Sequence, residues 1–312
     1  MAYLTRMVCV ALMVSGGLFL DSAHGEEAVA PQKTFTTAEE SAEALGAAYE
    51  SGCKKTVAGI LGDKGLRLVS SGDPVIDRYE REWFLSLFRE GHEVVFESDD
   101  RAVLQIGKDE YPYPIPLVKN GKGWRFDPAE GHEDLISRRI GKAELSALNV
   151  MVAYPDIQGE YFREDRNGDG ILEYARHFRS SPGQHDGLYW EGKPGDAPCP
   201  IAALVDVIQK EGYDLAEKGK MPVYRGYFFR ILKAQGAHAP GGAREYVVDG
   251  NMTGGFALVA FPTRYGISGV LTFVVNQEGV IYEKDLGPTT VKLGSEMTLF
   301  NPDRSWTRGQ EN

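Results

Sequence analysis

The spacing of apolar residues changes period twice along the chain, and this restricts the fold more than any single motif. From Thr37 to Arg89 the spacing is that of helices. Thr37-Ala38-Glu39-Glu40 is a capping-box pattern, and Ala38, Ala42, Leu45, Ala48 and Tyr49 form one apolar face that ends at Ser51-Gly52. A short helix over Lys55 to Leu61 stops at Gly62. Asp73 is a good N-cap and Pro74 suits a first helical position, opening a helix to about Arg89 with Ile76, Tyr79, Trp83, Phe84 and Leu87 as its core stripe. The pattern then shortens. Val94 to Phe96 and Ala102 to Ile106 read as strands. The proline-rich Tyr111 to Val118 reads as an extended edge, because each proline lacks a ladder donor. Asn120-Gly121 predicts a hairpin turn with Gly123 to Phe126 returning.

The second half repeats this order. A helical region spans His132 to Arg163, with Leu135, Ile136, Ile140, Leu145, Leu148, Val152, Ile157 and Tyr161 at its buried spacing. Pro155 predicts two segments with a bend near Tyr154, since proline removes a helical donor and clashes with the preceding turn. A glycine-rich loop, a short helix at Ile201 to Lys210 and five strands follow: 224–232, 245–248, 256–261, 270–275 and 280–284. Helices segregated from antiparallel strands, twice over, predict an α+β protein of two domains, at 35–130 and 131–312.

Ahead of both lies an address. Arg6 precedes fourteen apolar or small residues, Met7 to Leu20, and Ala23-His24-Gly25 suits a signal peptidase. As a helix that run would rise about 21 Å, short of a roughly 30 Å hydrocarbon core. Residues 1–25 are therefore expected to be a cleaved signal peptide and 26–34 a mobile leader. The mature chain is then exported, periplasmic or extracellular, with no membrane span. Lys and Arg number 34 against 45 Asp and Glu, a net charge of -11, which argues against nucleic acid as a partner. Of the remaining cysteines, Cys53 and Cys199 allow either one bridge across the halves or two separate thiols.

Several stretches carry resemblances. Thr34 to Asp127, with its closing Gly-Trp-Arg-Phe-Asp, resembles the nuclear-transport-factor-2-like fold. Residues 147–154, 263–273 and 276–282 are similar to the globular part of type IV pilin-like proteins, although a polar leader here replaces the apolar stalk that would pack in a fibre. Taken whole, the chain resembles domain-of-unknown-function family 2950, a group of exported bacterial proteins. The motifs are Val69 to Pro74, Pro114 to Val118, Ser180 to Gly183 with Gly187 to Trp190, Ala239 to Gly242 and Lys284 to Gly287. This resemblance implies no assigned activity.

The sharpest chemical motif is Asp165-Arg-Asn167-Gly-Asp169-Gly-Ile171-Leu-Glu173. Asp165, Asn167 and Asp169 occupy positions 1, 3 and 5 of an EF-hand-type calcium loop, the Ile171 carbonyl position 7 and Glu173 position 9. Position 12 is Arg176 where a bidentate Glu belongs; the plainer reading is a polar turn. Ser180, Ser181, His185 and Asp186 cluster without a nucleophile elbow, which favours a surface loop over a triad. Gly236 to Gly242 lacks the ending of a phosphate loop. Three long loops bear Tyr189 and Trp190, His238, and Arg264 and Tyr265, candidates for a recognition surface if they converge. The first functional expectation is a non-catalytic binding or envelope-assembly module, its partner an envelope protein or polymer. The alternatives are a cell-envelope hydrolase with a site between the domains, and a calcium-stabilised structural protein.

Overall fold

The computed structural model describes residues 31–121, 123–192, 199–213 and 221–309. The expected signal peptide, 1–25, lies outside them, as does the leader up to residue 30. Two residues at the end of the leader bond to the first half. The Gln32 amide donates to the Ile60 and Phe126 carbonyls (both 2.9 Å), and the Lys33 N–H to the Gly59 carbonyl.

The chain is α+β. Its first half packs α1 (Ala38–Ser51), α2 (Lys54–Val69) and α3 (Pro74–Glu90) on an antiparallel sheet. The capping box forms as its residues dictate: the Glu40 N–H donates to Thr37 Oγ1 and the Thr37 N–H to Glu40 Oε2. Helix α2 outruns its expected end. Gly62, at φ 72°, interrupts it, and the helix resumes to Val69. The strands His92–Ser98, Arg101–Ile106, Leu117–Asn120 and Gly123–Phe126 lie in sequence order, and Tyr111–Pro112 pairs with the second. Ala102, Leu104 and Ile106 point inward at alternate positions, as a half-buried strand requires.

Helix α3 is rotated from its expected facing. Phe84, Leu85 and Phe88 enter the core, while Tyr79 is 56 % exposed and Ile76, Trp83 and Leu87 are only partly buried. The helix carries apolar residues on two sides. One side meets the sheet, and the other, with Ile76, Tyr79 and Trp83, borders the cleft described below.

Helix α4 (His132–Phe162) runs through Pro155 as one element where two segments were expected. The buried Met151, Tyr154, Gln158 and Tyr161 flank the proline, and their packing outweighs a missing donor. Leu135 and Ile136 pack on the first core, whereas Ala143, Ala147, Met151 and Tyr154 belong to the second, so α4 is common to both.

The second core is built on a six-stranded antiparallel sheet. In spatial order its strands are Thr307–Arg308, Ile281–Asp285, Leu271–Asn276, Ala257–Pro262, Tyr227–Leu232 and Val223–Tyr224. Every residue of Ala257–Pro262 is buried. Both α4 and the short α6 contact that strand, α6 being the second helix after α5 (Ala202–Glu211) and spanning Thr290–Glu296. The expected strand at 245–248 reduces to Arg244–Glu245, which pairs with Ala234–Gln235.

Candidate ligand cleft between the two cores

The turn from α2 to α3 is the clamp between the halves. Asp73 caps α3, its Oδ1 accepting from the N–H groups of Val75 (2.9 Å) and Ile76 (3.3 Å). Its Oδ2 accepts from the Tyr213 hydroxyl at 2.9 Å, across 140 residues of chain. Burial first, and then the Asp73 charge, hold the Tyr213 phenol well above its ordinary pKa. Arg264 donates to the Ser71 carbonyl (3.2 Å) and Arg78 to the Glu211 carbonyl (3.0 Å). Gly72 sits at φ 88° under the Arg264 side chain; a Cβ there would come within 2.8 Å of Arg264 Cδ. Asp77 holds the turn rigid, accepting from both serine hydroxyls and from the Ser71 N–H at 2.7–2.9 Å.

Beside this clamp, α3 and α4 border two cavities. One, of about 70 Å³, has Ser71, Ile76, Tyr79, Ala143, Tyr213 and Arg225 in its wall. The other, of about 100 Å³, has Tyr49, Trp83, Tyr111, Tyr113, Arg138 and Arg81. Glu80, Arg139 and Lys142 line both. Each volume exceeds what one ordered water needs.

Arg139 is the electrostatic centre of this wall. It is 4 % exposed, and among the described residues its one charged partner is Glu80, at a long 3.4 Å from Nη2. Its Nε and Nη1 are buried without a hydrogen-bond partner among the described residues. Guanidinium carries five donors and no route to neutrality, so bare buried N–H groups cost the full loss of their hydration. Burial also raises the Glu80 pKa, against the opposing pull of Arg139 and Lys142. The aromatic side is ordered by its own contacts. The Tyr49 and Tyr113 hydroxyls lie 3.0 Å apart, and burial pushes the Tyr49 phenol up to about 12. Trp83 meets Tyr111 edge to face with centroids 5.0 Å apart, Lys142 lies 5.3 Å over Trp83, and Arg138 lies 5.2 Å over Tyr111.

The sequence model of the family described as Protein of unknown function (DUF2950) matches residues 32–308. The chain belongs to that family. No curated protein and no solved structure matches it. Two of the motifs that resemble DUF2950 fall at this site. Val69 to Pro74 is the clamp itself, and Pro114 borders the larger cavity.

The residues that sequence singled out lie elsewhere in this DUF2950 chain, with one exception. The Asp165 to Glu173 loop is closed by its own donors. Asp165 accepts from the Gly168 and Gly170 N–H groups (both 2.8 Å), which holds its carboxyl below the usual range. Asp169 Oδ1 accepts from the Ile171 N–H, and Asp169 Oδ2 from the Asn251 amide. Glu173, 4 % exposed, accepts from the Asn167 amide (2.7 Å) and the Met252 N–H (2.9 Å). These bonds tie the loop to the turn at 248–251, and a calcium ion would have to take over oxygens already in use. No group of three or more His, Cys, Asp or Glu among the described residues is arranged to hold a metal.

The three loops keep separate partners. Trp190 is 6 % exposed and stacks with His185 at 4.5 Å, and Tyr189 lies under Arg179. The His238 N–H donates to Asn301, and the Tyr265 hydroxyl to Asp285. Arg264, by contrast, reaches the clamp. The serine cluster builds no triad: Ser181 donates to Asp186 while the His185 ring is stacked. Cys53 is exposed, Cys199 is buried, and both are free. Sequence reading missed Glu80, Arg139 and Lys142, which lie on two helices and carry no motif. The one available signal was the second apolar face of α3.

Proposed function

We propose that this chain is a non-catalytic binding module of the cell envelope that seats its ligand in the cleft between its two cores. The buried guanidinium of Arg139, with two bare N–H groups in a wall common to both cavities, carries the reading. A folded chain tolerates such donors where a ligand completes them. The signal peptide expected at 1–25 supports an envelope location. Binding is favoured over hydrolysis by what surrounds the cleft. No histidine or cysteine lines either cavity among the described residues, and the serine hydroxyls there are committed, Ser71 to Asp77, Ser146 to the Lys142 carbonyl and Ser268 to the Arg264 carbonyl.

A fragment library of neutral, cationic and anionic compounds, screened by amide chemical shifts, tests the seat. Shifts should cluster on α3, α4 and the 69–74 turn, and Ser146→Trp, which fills the smaller cavity from its rim, should abolish those that arise from that cavity and leave those of the larger one. Shifts gathered on the 180–190 or 236–242 loops would move the seat to the C-terminal surface. Bound compounds recovered chemically altered would replace binding by catalysis.

A further inference from the structure

The cleft differs in charge from the chain that surrounds it. The whole chain carries -11, yet the larger cavity is lined by Arg81, Arg138, Arg139 and Lys142 against only Asp77 and Glu80. Three of these cations are spoken for in part: Arg138 by Asp134 and the Tyr111 hydroxyl, Lys142 by the Trp83 ring and Arg139 by Glu80. Among the described residues, the buried donors of this wall left without a partner are Nε and Nη1 of Arg139, the most deeply placed of the four. Solvated surface arginines satisfy such groups with water; a guanidinium 4 % exposed has little access to it. The opposite side of the same cavity is aromatic, with Trp83, Tyr111 and Tyr113 offering faces and edges to a flat apolar body.

Resting on the cleft reading above, we infer that the ligand is an organic anion: an apolar, flat body bearing a carboxylate or phosphate group that Arg139 receives in the aromatic-walled cavity. The oxyanion pairs with the charge of this guanidinium, whose Nε and Nη1 lie closed off from water and reach the ligand by a turn of the Arg139 side chain toward the cavity, a charge-assisted bond. Lys142, at the rim of both cavities, adds charge without a fixed bond. The body replaces water against Trp83 and Tyr111. A neutral ligand of the same shape gains the apolar contact and leaves Arg139 bare, so the site discriminates by charge as well as by shape.

The test is calorimetric titration of the full mature chain with benzoate, phenyl phosphate and benzamide, the last matching benzoate in shape without its charge. Both anions should bind, benzamide at least roughly tenfold more weakly, the value expected for one hydrogen bond to a charged group. The tighter of the two anions identifies the head group. Arg139→Met should erase the preference. Should that variant fail to fold, Lys142→Gln, at an exposed position, should narrow it and leave the melting temperature unchanged. Equal binding of benzoate and benzamide, a preference that survives in a folded Arg139→Met or, where that variant does not fold, a preference untouched by Lys142→Gln, overturns the inference while the cleft reading stands. Absence of any cleft binding by all three probes and by the neutral fragments above removes both.

Discussion

Two carboxylates show how a single side chain is set by its surroundings. Glu80 has a folded pKa raised above its ordinary 4.5, with burial the largest cause and Arg139 and Lys142 opposing it. It therefore adds stability below about pH 4.5 and loses it as the pH climbs through the raised folded value. Glu80→Gln stays uncharged throughout. Urea unfolding at pH 4.5 and pH 7 should find the variant gaining on the wild type as pH rises; parallel curves would deny that the carboxyl is desolvated. Glu173 is buried too, but every oxygen has work. Glu173→Ala strands the Met252 N–H and the Asn167 amide, and should cost about 1–3 kcal/mol. Added calcium should not restore the loss. A melting temperature raised by calcium in the wild type, and not in this variant, would instead return the loop to the metal-binding reading. The loop's glycines and acids were visible in sequence as a tight polar turn. Its dock, the 248–251 turn some 80 residues on, was not, because side chain to backbone bonds over that distance leave no local pattern.

At the scale of elements, caps and periods were legible and facings were not. Thr37 and Asp73 cap their helices as their residue types require, since the capping bond is local. Which face of α3 meets the sheet depends on what packs there, and two apolar stripes on one helix leave that choice to tertiary structure. Helix α4 continues through Pro155 for the same reason. The end of α3 does two tasks at once, and mutation should separate them. Tyr213→Phe removes only the bond across the halves and should cost about 1 kcal/mol. Asp73→Ala removes that bond and the cap together, for about 2 kcal/mol or more by equilibrium unfolding. Equal losses would mean that the cap contributes nothing.

The whole molecule is two cores sharing one helix and one clamp. Its α+β class was legible from the double change of period, and its membership in DUF2950 from distinctive motifs. The cleft was not, because Glu80 and Arg139 stand 59 positions apart and meet only when α3 and α4 are laid together. Shared α4 and the clamp at 70–73 should make the halves unfold in one calorimetric transition. Tyr213→Phe combined with Arg264→Ala and Arg78→Ala cuts the clamp's three cross-bonds and should split it into two. A wild type already showing two transitions would mean that the halves are coupled by α4 too weakly to hold a common site.

The cleft itself is tested most directly by a crystal structure of the chain grown with benzoate. The account predicts the carboxylate within hydrogen-bond distance of Arg139 Nε or Nη1 and the ring against Trp83. Benzoate seated on the C-terminal loops, or a cleft in which Arg139 has found another partner of its own chain, would contradict it.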